Sequence, residues 1–397
     1  MGEQKTVVIG VTGGIAAYKA LDLVSKLKKS NFNVHVIMTK SAAEFVNPLS
    51  FQSLSQNFVI KDMFEDPKTW DIEHISLAKK ADVMIICPAT VNIIGKVANG
   101  IADDMLSTTI MATKAPVIFA PAANSNMYLN AIVQDNINKL KGFGYKFIEP
   151  DSGRLACGDE GKGKLANIDV ILENIKTTLY DLKDLKGKKV LVTAGPTISF
   201  IDPVRFITNK SSGKMGYAIA EEARDRGAHV TLISGPSNEV PPIGVDFLEI
   251  QTNSEMRDEV LKIYDSMDVV VKAAAVADYK IAEYSEEKIK KQNDELSIKL
   301  IKDVDILQEL GKNKKTQILI GFAAESENLI NNAKAKMEKK NLDYIVANNI
   351  KSSEIGFNSM ENVVTIIKAN GKEISLEKMT KRLVARELFN IVNDKKR

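Results

Sequence analysis

Two groups of residues in this chain have the types and spacing that chemistry requires. The first surrounds Cys157, set in Ser152-Gly-Arg-Leu-Ala-Cys-Gly-Asp-Glu-Gly-Lys-Gly-Lys164. Glycines loosen that stretch and nearby cations lower a thiol pKa, as a proton-transfer group requires. An exposed cysteine with no role has the same local text. The second group is Asp202-Pro-Val-Arg-Phe-Ile-Thr-Asn-Lys-Ser-Ser-Gly-Lys-Met-Gly216, hydroxyls, lysines and glycines ahead of a helix expected over 217–226. Backbone N–H groups at a helix start suit an anion. This is not a Walker A loop, because the first glycine and the final Ser or Thr are missing at the required spacing. Asp278 closes Ala273-Ala-Ala-Val-Ala-Asp-Tyr279, just past the carboxyl end of an apolar strand, where open α/β sheets bind ligands. Lys288-Ile-Lys-Lys291 follows, then Lys336 and Lys340 at i, i+4 spacing, which is equally the pattern of a solvated helix face.

The elements that must position these residues are two βαβ openings about 180 residues apart. One runs Lys5-Thr-Val-Val-Ile-Gly-Val-Thr-Gly-Gly-Ile-Ala-Ala-Tyr-Lys19, the other Lys188-Lys-Val-Leu-Val-Thr-Ala-Gly-Pro-Thr197. Each leads to a second strand of similar text, Asn33 to Thr39 and Gly227 to Ser234. His35 and His229 take matching places there and read as half-buried strand residues. His74, in Trp70-Asp-Ile-Glu-His-Ile-Ser-Leu77, has no counterpart and serves either as an acid or base or as a helix-start histidine. Ala17, Leu21, Val24 and Leu27 fall at helical spacing after the first glycine turn. Further strands are expected at 83–87, 117–120, 269–273, 318–322, 344–347 and 363–367; Cys87 reads as a core residue. The pattern predicts two Rossmann-like α/β domains, the first flavodoxin-like, over 1–182 and 187–397, divided at the Lys-rich stretch 181–188. The charged segment 281–301 reads as a hairpin arm over a site or as a solvated insertion.

A nicotinamide reader would place Asp or Glu at the end of the second strand to hold a ribose diol. Here Met38-Thr39-Lys40-Ser41 offers hydroxyls and a cation, which suit the phosphate of a mononucleotide such as FMN. The composition, 44% hydrophobic and 26% charged with a net charge of +3, gives no field for nucleic acid or membrane. No apolar run approaches the roughly 18 residues of a membrane span. Two cysteines make no disulfide framework, and the N-terminus enters a strand without a leader, so a cytoplasmic protein is expected.

Gly13-Gly-Ile-Ala-Ala-Tyr-Lys19, His74, Pro88-Ala-Thr-Val-Asn92, Gly100-Ile-Ala-Asp-Asp-Met-Leu-Ser-Thr108, Pro121-Ala-Ala-Asn-Ser-Asn-Met-Tyr128 and Ala156-Cys-Gly158 together resemble the flavin-dependent phosphopantothenoylcysteine decarboxylase family over about 1–180. The family's Pro-x-Met-Asn-x-x-Met-Trp becomes a motif with Ala123 and Tyr128 here, while Asn124 is kept. The resemblance implies FMN held by Gly13, Gly14, Ile15, Thr39, Ser41, Ser107 and Thr108. It implies Cys157 as acid, His74 as base and Asn124 as holder of the pantothenoyl and carboxylate groups. An N-acylated cysteine has no electron sink for loss of CO2, and oxidation of its thiol to a thioaldehyde by flavin supplies one.

Gly195-Pro-Thr197, Asn209-Lys-Ser-Ser-Gly-Lys-Met-Gly216, Ala275-Val-Ala-Asp-Tyr279, Glu287-Lys-Ile-Lys-Lys291, Gly321-Phe-Ala-Ala-Glu325 and Lys340-Asn-Leu-Asp343 resemble the phosphopantothenate-cysteine ligase family over about 187–390. That implies activation of 4'-phosphopantothenate by CTP, through an acyl-cytidylate that the cysteine amine attacks. By the same resemblance CTP meets Asp278, Val304, Asp305, Ile306, Leu307, Phe322, Lys336 and Lys340, and Lys288 neutralises the triphosphate. Asn209 orients the acyl group; Arg205, Ser211, Ser212, Lys214, Ala273, Ala274 and Ala275 also face substrate. Mg2+ is expected at Asp278, since phosphate charge must be offset in transfer. The two halves in this order imply a bifunctional enzyme of coenzyme A biosynthesis that makes and then consumes 4'-phosphopantothenoylcysteine, as a homo-oligomer with flavin near a subunit interface. A two-domain nicotinamide oxidoreductase and a nonenzymatic flavoprotein regulator remain the alternatives.

Overall fold

The computed structural model describes residues 4–63, 73–154, 158, 160–290, 296–325, 328–349 and 361–394. Cys157 and Lys291 lie outside the described residues. The chain forms two compact units, Met1–Asp181 and Leu182–Arg397.

The first unit is built on β1 (Thr6–Val11), β2 (Asn33–Met38), β3 (Val59–Ile60), β4 (Val83–Ala89), β5 (Val117–Pro121) and β6 (Lys146–Phe147). They form one sheet in the order β3-β2-β1-β4-β5-β6, with every pairing parallel. That is the Rossmann order; without the two-residue edge strand β3 it is the flavodoxin order. The strands are apolar throughout because both faces are covered. Val7, Ile9 and Val11 pack on one side, Val8 with Ile37, Met84 and Ile86 on the other. The helix Lys19–Lys29 buries Ala20, Leu23, Val24 and Leu27, whereas Ala17 belongs to the 3-10 turn Ile15–Tyr18 before it. An antiparallel hairpin, β7 (Asp151–Arg154) and β8 (Glu160–Lys164), completes the unit with the helix Ile168–Leu179.

In the second unit the strands in chain order are β9 (Lys189–Ala194), β10 (Ile198–Phe200), β11 (Phe206–Thr208), β12 (His229–Ser234), β13 (Asp246–Glu249), β14 (Val269–Lys272), β15 (Tyr279–Ile281), β16 (Leu300–Lys302), β17 (Ile318–Glu325), β18 (Tyr344–Asn349), β19 (Glu361–Asn362), β20 (Val364–Lys368) and β21 (Glu373–Ser375). The main sheet runs β13-β12-β9-β14-β17-β18-β20-β21. Its first six members are parallel and repeat the strand order of the first unit, so the doubled openings do reflect a doubled architecture. β20 and β21 add an antiparallel edge. β10 pairs with β11, and β15 with β16, as short antiparallel pairs, the second of which brings together the two ends of the charged segment expected over 281–301.

The two strand histidines are not equivalent. His35 is the third residue of β2, half-buried and opposite Val8, while His229 opens β12, exposed and opposite Lys189. The helix after the second anion loop spans Lys214–Asp225, three residues earlier at its start than the apolar spacing indicates. It is preceded by Gly213 at φ +79°, a left-handed backbone that glycine adopts without strain.

Candidate active sites

The first site lies at the carboxyl ends of β1 and β4, where the strand order reverses. Leaving β1, Thr12 is 2% exposed, and its hydroxyl donates to the Pro88 carbonyl at 2.7 Å and accepts the Thr90 N–H at 3.0 Å. One side chain thus fastens the turn after β1 to the turn after β4. At Gly13 a Cβ would stand 2.3 Å from the Ser41 Cβ, so only glycine lets the first turn close against the chain following β2. A cavity of about 490 Å³ opens above Gly13, Gly14 and Ile15, with Lys19, Asn124 and Arg154 on its walls. A second, of about 650 Å³, shares Gly13, Thr90, Val91 and Met127 with it and extends over Thr39, Lys40 and Ser41.

Five of the seven expected flavin residues, Gly13, Gly14, Ile15, Thr39 and Ser41, therefore border joined space. Ser107 and Thr108 line neither cavity. The Ser107 hydroxyl is engaged with Asp104 at 2.9 Å in a capping box that starts the helix Met105–Ala112, and Thr108 donates to the Ala102 carbonyl at 3.2 Å. Asn124 borders the first cavity and caps the helix Ser125–Leu129, its Oδ1 accepting the Asn126 N–H at 2.9 Å. His74 is the second residue of the helix Glu73–Lys80, half-buried, and lines neither cavity.

The β7–β8 hairpin closes the first cavity. Gly163, at φ +150°, is so close to the Asn124 segment that a Cβ would lie 2.3 Å from the Ala123 carbonyl oxygen, and the Ala123 N–H donates to the Gly163 carbonyl at 3.0 Å. This seam places Arg154 and Lys164 on the cavity wall, two cations that the motif reading did not single out. Tyr128 is buried where the family motif has Trp, and its hydroxyl donates to Glu149 at 3.0 Å. Burial, then the Glu149 charge, pushes that phenol up to about 12.

The second site sits over the carboxyl ends of β9, β14 and β17. Gly216 allows the helix Lys214–Asp225 to press its first turn on the sheet, since a Cβ there would lie 2.5 Å from the Ala194 Cβ. Thr193 and Thr197 accept the N–H groups of Ala274 and Ala277 at 3.3 and 3.2 Å, holding the strip after β14 extended. Asn209 joins the same strip, donating to the Ala275 carbonyl at 3.2 Å. A cavity of about 470 Å³ there is bordered by Asn209, Ser211, Ser212, Lys214 and the alanines 273–275. A neighbour of about 510 Å³ is bordered by Val304, Asp305, Ile306, Leu307 and Lys340. Asp278, Phe322 and Lys336 belong to both, so the two spaces meet along them.

Lys336 donates to the Phe322 carbonyl at 3.2 Å and Lys340 pairs with Asp305 at 2.7 Å. Burial raises the Asp305 carboxyl, but the hydrogen bonds from Lys340 and the Gln308 N–H outweigh it and leave the group below its ordinary range. Arg205 and Lys288 border neither cavity. The Arg205 guanidinium donates to the Ile289 carbonyl at 2.8 Å, and buried Asp202 accepts the Ile289 N–H at 3.2 Å. Together they anchor the backbone that carries exposed Lys288. Sequence reasoning passed over Lys272 and Lys381, both on cavity walls and both largely buried. A lysine closing the run Val-Val-Val in a central strand was the available signal for the first.

The flavoprotein family matches residues 1–180, and the DNA/pantothenate metabolism flavoprotein C-terminal domain family matches residues 185–395. The coenzyme A biosynthesis bifunctional protein CoaBC of Bacillus subtilis (strain 168) is 48% identical over 392 residues, covering 98% of this chain and 97% of that protein. Its namesake in Borreliella burgdorferi is 46% identical over 396 residues, covering 99% and 100%. The chain belongs to the coenzyme A biosynthesis bifunctional protein family. It is an enzyme with a flavoprotein decarboxylase domain and a ligase domain, and the oxidoreductase and nonenzymatic alternatives fall away. The solved C-terminal domain of a CoaBC protein resembles it with TM-score 0.47 and 43% identity, covering 53% of this chain and 96% of that one. Among the described residues no helix is long and apolar enough to cross a membrane.

Proposed function

We propose that residues 1–182 bind FMN and decarboxylate 4'-phosphopantothenoylcysteine, and that residues 187–397 make this compound from 4'-phosphopantothenate, cysteine and CTP, in the cytoplasm. The observation that carries the reading is that each unit joins two cavities at the carboxyl edge of its sheet, and that motif residues of the two resemblances, Gly13, Thr39, Ser41 and Asn124 in one unit and Asn209, Asp278, Asp305 and Lys336 in the other, line them.

In the first unit the residues present fit a flavin. A Cβ at Gly14 would meet only the Thr90 methyl, at 3.7 Å, so this part of the turn lies open to a ring system, while Thr39, Lys40 and Ser41 supply hydroxyls and charge on the wall of the adjoining cavity for a phosphate. Bound flavin would take up the hydride when the substrate thiol is oxidised to a thioaldehyde, the electron sink that makes loss of CO2 feasible. Asn124 would hold the substrate carboxylate and amide through its side chain, with Arg154 and Lys164 offsetting negative charge. Cys157, in the connection of the β7–β8 hairpin and outside the described residues, would return a proton to the product carbon. The base role of His74 is proposed together with assembly of copies, because His74 lines neither cavity of its own chain while Ile15 and Met127 stand 60% and 50% exposed beside the flavin space.

In the second unit Asn209 and the alanine strip 273–275 would seat the acyl group, and Lys288, Lys336 and Lys340 would neutralise phosphate charge as the carboxylate attacks. Among the described residues no cluster of three or more His, Cys, Asp or Glu could cage a metal. Mg2+ held through phosphates and one carboxylate needs no cage, and Asp278 at the junction of the cavities would be that ligand. The test measures pyrophosphate release with and without cysteine, alongside CO2 release from preformed phosphopantothenoylcysteine. Lys288→Gln should suppress pyrophosphate release, and Asn209→Asp should slow transfer to cysteine more than activation. Both should leave decarboxylation intact; equal loss of all three activities in Lys288→Gln would sink the division of labour.

A further inference from the structure

Lys272 ends β14 after three valines, and strand alternation sends it with Val270 to the face beneath the helices Asn253–Tyr264, Ile306–Lys312 and Leu329–Lys339. It is 6% exposed. Among the described residues its ammonium has no oxygen acceptor; its one hydrogen-bonding contact is the Met256 sulfur at 3.5 Å. A thioether is a weak acceptor, and a buried cation left in such company costs folding free energy that a methionine of similar length would not. The charged groups nearest it are Asp305, already paired with Lys340, and Lys336 and Lys340 themselves, both cations. Yet Lys272 is not sealed in: it lines the cavity of about 510 Å³. A buried donor facing a cavity without an oxygen partner calls for an acceptor from a ligand.

The position of that acceptor follows from how the two cavities meet. Attack of a carboxylate on the nucleotide must take place where the acyl cavity joins its neighbour, at Asp278 and Lys336. The phosphates then lie at the junction, and the base extends away from it, into the space that Lys272 borders and the acyl cavity does not reach. The walls there include Ile306 and Leu307, apolar surfaces suited to a flat ring.

We propose that Lys272 is a specificity-determining residue of the ligase site, its ammonium donating to the O2 and N3 acceptor edge of the cytosine base. Uracil carries an N–H at N3, so the same ammonium meets a donor and discriminates against UTP. The proposal rests on the reading of the second unit as a CTP-dependent ligase.

The test uses the full-length protein with 4'-phosphopantothenate, measuring pyrophosphate release at varied CTP and UTP for wild type and Lys272→Met. Loss of one charged hydrogen bond should raise the KM for CTP about tenfold to a hundredfold, with kcat changed less, and should shrink the CTP-over-UTP ratio of kcat/KM by a similar factor. Inhibition by inorganic tripolyphosphate should be unaltered, and the thermal midpoint should not fall. An unchanged KM for CTP in a folded variant overturns the proposal. So does a matching loss of tripolyphosphate inhibition, which would make Lys272 a phosphate contact. A lower thermal midpoint with an unchanged CTP-over-UTP ratio overturns it in favour of a structural role. Should Lys272→Met fail to fold, Lys272→Gln, which keeps an uncharged N–H donor group, must show an intermediate ratio; a wild-type ratio overturns the proposal. Wild type that releases no pyrophosphate with CTP would refute the ligase reading itself, which separates that failure from an error about Lys272.

Discussion

Replacing Thr12 by valine tests how the first site is held. The two side chains have nearly the same shape, so packing is kept while the hydroxyl is lost. That hydroxyl donates to the Pro88 carbonyl at 2.7 Å and accepts from the Thr90 N–H at 3.0 Å. Valine takes from both backbone groups the partner that Thr12 provides, at a position only 2% exposed. Each unsatisfied buried group costs about 1–3 kcal/mol, so the variant should lose roughly 2–6 kcal/mol, less whatever water entering from the cavity recovers. Thr12→Ser keeps the hydroxyl and removes one methyl, about 1 kcal/mol. Because Thr90 and Val91 border both cavities of the first unit, Thr12→Val should also lose flavin while Thr12→Ser keeps it. Urea unfolding followed by circular dichroism, with flavin retained through gel filtration, reads both effects. A Thr12→Val protein within about 0.5 kcal/mol of wild type, the range of ordinary surface changes, and still yellow would refute the reasoning. Equal damage from serine and valine would refute it too, since the hydroxyl would then be irrelevant.

Other expectations follow from single contacts. Burial lowers Lys272 to about 7 from 10.5, opposed by Asp305 and assisted by Lys340 and Lys336. Between those values the unfolded chain binds more protons than the folded one, so wild-type stability relative to Lys272→Met should rise with pH by up to about 1.4 kcal/mol per unit and lie flat below pH ~7; urea titrations of both proteins at pH 6, 8 and 9.5 measure it, and a constant gap would contradict a dry Lys272. Gly163→Ala adds a Cβ 2.3 Å from the Ala123 carbonyl oxygen at φ +150°, so it should detach the hairpin and cut decarboxylation at least tenfold while pyrophosphate release by the other unit is kept. Arg205→Met removes the donor to the Ile289 carbonyl and should raise the KM for CTP through misplacement of Lys288, an effect that disappears in the Lys288→Gln background if Arg205 acts only by positioning it.

How much of this was legible in the chain depended on what each signal is made of. β1, β4, β9 and β14 announce themselves because a parallel strand covered on both faces must be apolar at successive positions, and 7–11 and 190–194 have that text. β13 is exposed at all four residues and β3 and β6 have only two residues each, so no periodic burial marks them; their pairing partners create them. The start of the helix at Lys214 was missed because Gly213 caps it by backbone conformation with no side-chain cap hydrogen bond. Glycine turns were readable as turns, but the reason for Gly13 and Gly163, contact with Ser41 and Ala123 far along the chain, exists only in three dimensions.

The site residues divide along the same line. Motif residues that face a cavity through backbone placement, such as Gly13, Asn209 and the alanines 273–275, could be located because their role depends on being just past a strand end. Arg205 stands in an anion-loop motif, yet its guanidinium is turned to the Ile289 carbonyl, a tertiary contact that no spacing encodes. Lys272 shows the converse. A lysine at the end of a valine run reads as the place where a strand meets solvent, whereas three helices cover that end and leave the ammonium facing only a thioether and a cavity. Charge that folding strands in a dry place is therefore informative in a way that charge at a motif position is not. The motif identifies which ligand chemistry the chain handles, and the uncompensated group identifies where the fold has given up stability that only a bound partner can restore.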